Sequence, residues 1–65
     1  MAKLRSSASL SKLLDIPGVA DLCGVSEKTV RRWIGTGELP AAKLGSQWRI
    51  RPRDLEDFIR ERVIR

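Results

Sequence analysis

Gly24-Val25-Ser26-Glu27-Lys28-Thr29-Val30-Arg31-Arg32-Trp33-Ile34 is the stretch whose reading decides the fold. Gly24 marks a turn and Ser26 an N-cap, because a serine there lends its hydroxyl to a first-turn N–H that has no partner inside the helix. At about 100° per residue, Val30, Trp33 and Ile34 gather on one side of the helix and Lys28, Arg31 and Arg32 on the other. Thr29 sits at the boundary, its hydroxyl within reach of a phosphate or a base edge. Gly35-Thr36-Gly37 closes the helix. A tight turn thus delivers a helix with one apolar and one cationic face.

Upstream, Asp15 reads as the N-cap of a helix running to Cys23, with Pro17 in the first turn, where its missing N–H costs nothing. Val19, Ala20, Leu22 and Cys23 give this helix an apolar side, and Gly18 weakens it by about 1 kcal/mol relative to Ala. Two short helices joined by so tight a turn form a helix-turn-helix. Residues 1–12 are rich in Ser, Ala and basic side chains without a sustained period. They read as a flexible basic arm able to add phosphate contacts, with Leu10, Leu13 and Leu14 leaving open a short helical start. The folded domain is expected over residues 13–65.

Downstream, Ala41-Ala42-Lys43-Leu44 and Gln47-Trp48-Arg49-Ile50-Arg51 flank Gly45-Ser46. The second run alternates, Trp48 and Ile50 to one face and Gln47, Arg49 and Arg51 to the other, the period of a half-buried strand. A glycine at the first turn position suits a type II′ hairpin. A lone hairpin is marginal in water, so its apolar face is expected on the helices, with Lys43 and Arg49 outward. Pro52 and Asp54 open a last helix, over about 52 to 63, whose inward stripe is Leu55, Phe58, Ile59 and Val63. The order helix, turn, helix, two-stranded wing, helix is mainly α with a small β-hairpin: a winged helix-turn-helix.

The chain has 65 residues, 42% hydrophobic and 32% charged, which suits one small folded domain. Its net charge is +5, and residues 26–53 hold seven of the 13 basic residues and two of the eight acidic ones. Essentially all the net charge therefore lies beside the turn-helix element, as a polyanion-binding surface requires. Cys23 is the single cysteine and there is no histidine. Neither an intramolecular disulfide nor a zinc site can be assembled from them, and Cys23 reads as a small buried apolar residue. No metal or cofactor is expected, nor is catalysis, since Asp54, Glu56, Asp57 and Glu61 read as a solvated face rather than a catalytic pair. Without a signal peptide or a long apolar run, a cytoplasmic protein with no membrane role is expected.

Val19-Ala20-Asp21-Leu22, Gly24-Val25-Ser26, Thr29-Val30, Arg32-Trp33-Ile34, Gly37-Glu38-Leu39-Pro40, Lys43-Leu44-Gly45, Trp48-Arg49-Ile50 and Asp54-Leu55, in this order, resemble the excisionase-like DNA-binding domains. These are winged helices related to the MerR group, and the resemblance spans residues 14 to about 60. Cys23 stands where a larger aliphatic residue is usual, and Pro17-Gly18 where stronger helix formers are usual.

The resemblance implies a recombination directionality factor of a bacteriophage or mobile element, acting in a bacterial host cell. Such proteins bind repeated sites on double-stranded DNA beside an attachment sequence, bend the DNA and direct an integrase towards excision. Its implied partners are that DNA, the integrase and other copies of the chain. A small transcriptional regulator using the same face is the alternative.

The candidate DNA-binding residues are Ser26, Lys28, Thr29, Arg31 and Arg32 on the helix and Lys43, Ser46, Gln47 and Arg49 on the hairpin. Arg can grip guanine O6 and N7 with two hydrogen bonds, or neutralise a phosphate as Lys does. At least one of Arg31 and Arg32 is expected to read a base. Ser26 is first a cap, although its position also exposes backbone N–H groups to a phosphate. Trp33 and Trp48 share their faces with Val30, Ile34 and Ile50, so both read as core rather than as base-stacking platforms.

Overall fold

A computed structural model describes residues 12–64 and orders them as α1 (Ile16–Cys23), α2 (Glu27–Gly35), β1 (Ala42–Leu44), β2 (Gln47–Arg49) and α3 (Pro52–Arg60). This is the expected sequence of elements. The arm proposed for residues 1–12, apart from Lys12, lies outside the described residues.

Local chemistry sets each helix end. The Asp15 carboxylate accepts from the Gly18 N–H at 2.8 Å. A Cβ on residue 18 would come within 2.9 Å of the same oxygen, so the glycine that weakens the helix also leaves room for its cap. Gly24 closes α1 in the left-handed region at φ +68, with the Val25 N–H bonded to the Ala20 carbonyl at 3.0 Å and its own N–H to that of Asp21 at 3.3 Å. This Schellman arrangement satisfies two carbonyls that a helix end otherwise leaves unpaired. Three residues later α2 is under way, capped by Ser26 Oγ, which accepts from the Thr29 N–H at 3.1 Å. At its far end Gly35 is still helical, Thr36 is the cap, and Gly37 makes the reversal at φ +83.

The strands form an antiparallel pair in which Ala42 faces Arg49, Lys43 faces Trp48 and Leu44 faces Gln47 across the turn Gly45-Ser46. Gly45 takes φ +65, a conformation that L side chains rarely adopt. Ile50 and Leu14 exchange both backbone hydrogen bonds, at 2.8 and 2.9 Å, which adds a one-residue third strand. The helical start left open at Leu13 and Leu14 is therefore overturned. The backbone groups of Leu14 are engaged by Ile50, and Asp15 is held extended as the cap of α1.

Ile16, Val19, Ala20, Val30, Leu39, Ile50, Leu55 and Phe58 form the buried core, with Cys23, Trp33, Ile34 and Trp48 half-buried against it. Trp33 packs on Phe58 with ring centroids 4.6 Å apart. Three residues assigned inward lie outside: Leu22 is 66% exposed, Ile59 46% and Val63 54%. Leu22 is roughly 120° around α1 from Ile16, beyond the stripe that meets α2. Ile59 stands on the flank of α3, and Val63 follows that helix's end at Arg60. Leu39, in the loop after α2, fills part of the centre instead, 1% exposed.

Trp33→Ala is expected to remove about 3–5 kcal/mol of stability, a large share of what so small a domain possesses. Urea denaturation measures it, and a loss under about 1 kcal/mol would show that Trp33 does not anchor the core.

Candidate nucleic-acid interface

Two elements present the candidate residues, and a backbone constraint ties them together. α2 buries Val30 and turns Lys28, Arg31 and Arg32 to solvent. Because Ile50 is buried and bonded to Leu14, the base of the hairpin is held beside the residue that precedes the α1 cap. The wing and the start of α2 then face each other. Between them runs a cleft whose lining includes Asp15, Glu27 and Arg31 on the helix side and Ser46, Gln47, Trp48 and Arg49 on the wing.

Within this cleft the two arginines have different partners. Arg31 Nη2 reaches Glu27 Oε1, one helical turn earlier, at 3.4 Å. Arg49 is half-buried and donates to the Trp48 carbonyl at 3.1 Å and to the side-chain oxygen of Gln47. Arg49 is thus fixed by neutral acceptors and keeps its whole charge, whereas the charge of Arg31 faces a carboxylate. Ser26 and Thr29 engage each other, with hydroxyl oxygens 3.0 Å apart.

The hairpin register corrects one expectation. Residues directly paired across an antiparallel ladder share a face, and neighbours along a strand alternate. Lys43 therefore shares the face of Trp48, its Nζ 5.5 Å from the indole centroid, within cation–π range. Gln47 and Arg49 occupy the other face. The structure thus brings Arg31 together with Ser46, Gln47, Trp48 and Arg49, while Lys28, Arg32 and Lys43 do not line the cleft, Lys43 lying over the indole of Trp48.

Several of the charges outside the cleft are paired. Arg51 makes two hydrogen bonds to Asp54, at 2.6 and 3.0 Å. Those bonds, and then the carboxylate charge, raise the guanidinium above its usual pKa. Asp57 pairs with Arg60 at 2.8 Å. Arg62 pairs with Glu38 at 3.3 Å and lies 3.6 Å above the Phe58 ring. Sequence reasoning missed Glu27 as a residue of the cleft, although its spacing of four from Arg31 was a readable signal.

A capped helix pair joined by three residues, followed by a two-stranded wing that shares a cleft with its second helix, defines the winged helix-turn-helix class. The chain belongs to a family of helix-turn-helix DNA-binding domains, whose model, described as a helix-turn-helix domain, matches residues 13–63. It is 44% identical over 64 aligned residues to the transcriptional repressor DcmR of Methylorubrum extorquens, covering 91% of this chain and 24% of the repressor. It is also 37% identical over 49 residues to a Mycobacterium tuberculosis protein whose name gives DNA binding as its conjectured activity, covering 75% of this chain and 63% of that protein. The chain thus spans about a quarter of the repressor and under two thirds of the mycobacterial protein. No solved structure matches it significantly.

Arg49→Ala is expected to weaken binding to specific and random duplexes alike, flattening the log–log salt dependence by about 0.9, one phosphate's share. Anisotropy titrations across a salt series measure this. An unchanged affinity at physiological salt would remove the wing from the interface.

Proposed function

We propose that this chain binds double-stranded DNA in a sequence-dependent manner, with α2 in the major groove and the wing against the flanking backbone or minor groove. The observation that carries this reading is the shared cleft. It brings Arg31 of α2 and the half-buried Arg49 of the wing to one surface, where a single ligand can meet both. The exposed basic residues Lys28, Arg31 and Arg32 supply phosphate and base contacts, and the first turn of α2 offers backbone N–H groups to a phosphate.

α2 is 9 residues long and presents few side chains to base edges. Affinity and specificity are then built by several copies on adjacent repeated sites, which bend the DNA. With the resemblance to excisionase-like domains, this supports a non-catalytic role in which the protein directs an integrase towards excision. The second reading is a transcriptional regulator, favoured by the similarity to a protein named as a repressor.

Neutralising about five phosphates predicts a log–log salt slope near −4.5 on duplex DNA. A slope near zero would reject DNA as the ligand. The role is separated by an in vitro recombination assay with the cognate integrase. Stimulated excision with suppressed integration is the expected result, whereas no effect on either, alongside repression from a bound promoter, would establish the regulator.

A further inference from the structure

We infer that Glu27 is a positioning residue for DNA sequence discrimination, holding Arg31 off the phosphates so that its guanidinium reads a base. This rests on the duplex-binding reading above. A carboxylate placed in a cleft that faces a polyanion weakens attraction to every duplex, whatever its sequence. Its presence is explained when it improves the discrimination between duplexes. Glu27 lines the cleft with Arg31 and stands 3.4 Å from it, and both side chains remain about half exposed, at 47% and 60%. The pair is therefore accessible to a ligand and is not a buried structural bridge.

The asymmetry between the two cleft arginines gives each a task. Arg49 is restrained by a carbonyl and an amide oxygen and carries an uncompensated charge, which suits it to phosphate. Arg31 is restrained by a carboxylate that offsets its long-range attraction for the backbone. The planar fork still presents further N–H donors to guanine O6 and N7. Arg32 has no acidic residue one turn before it, since position 28 is Lys28. It is the backbone partner by the same reasoning.

A plain structural or charge role for Glu27, as an acidic residue in the first turn of α2 and one half of an exposed pair, would affect stability and the affinity for every duplex alike, leaving the specificity ratio unchanged. The test therefore reads specificity. A randomised duplex library is enriched on the wild type, and affinities of wild type, E27Q, E27D, R31A and the E27Q/R31A double variant are measured on the enriched and a scrambled duplex across a salt series. E27Q is expected to bind the scrambled duplex more tightly, with a salt slope steeper by about 0.9 as Arg31 moves to a phosphate. Its specificity ratio is expected to fall at least tenfold, the lower end of what one bidentate contact provides. E27D keeps the charge but is one methylene too short to hold Arg31, and its ratio should fall likewise. E27Q added to R31A should lower the ratio no further.

An unchanged ratio in E27Q, or wild-type behaviour in E27D, overturns the inference and leaves duplex binding intact. A wild type that enriches no sequence and shows no salt-dependent duplex binding overturns both.

Discussion

The exchange of two backbone hydrogen bonds between Leu14 and Ile50 is the constraint on which the arrangement of the domain depends. Strands of three residues are too short to hold a hairpin in water. Here the ladder continues for one more residue, and the side chain of Ile50 is completely buried. The wing is thereby fastened at its base to the segment that caps α1. α1 is in turn fixed to α2 by the left-handed turn at Gly24 and the cap at Ser26. Both halves of the cleft are positioned through this chain of short-range restraints, and little conformational freedom is left to freeze when a ligand enters.

The parts of the fold that were legible in sequence are those decided within a few residues. Asp15, Gly24 and Ser26 act on groups no more than four positions away, so their chemistry could be read directly. The alternation of Trp48, Arg49 and Ile50 announced a strand for the same reason. Leu39 carried no periodic signal, because a loop residue is recruited to the core only by what happens to converge above it. Leu22 and Ile59 lie on helix flanks, where burial is decided by the neighbouring element rather than by the helix. The Leu14 bridge joins residues 36 positions apart through backbone groups, which every residue carries alike.

For the interface, the identity of the cationic residues was legible and their grouping only in part. Counting charges on one helix and one hairpin placed Lys43 with Arg49. The register of a two-residue loop puts Lys43 opposite Trp48, and this follows from the position of Gly45-Ser46 alone. The partition of α2 into a wing-facing flank with Glu27 and Arg31 and a further side with Lys28 and Arg32 required the third dimension. Nothing in helical periodicity says which flank the wing will meet.

The three-residue connection between α1 and α2 also limits how such a domain can diversify. Gly24, Val25 and Ser26 supply, respectively, the left-handed closure, a half-buried contact and the cap, so an inserted residue would break one of them. The tip of the wing carries no comparable restriction, since Gly45 and Ser46 are exposed and closed only by their own ladder. Change on α2 must therefore come by substitution, one side chain at a time. Change in the reach of the wing can come by lengthening the hairpin, with the helix pair left as it is.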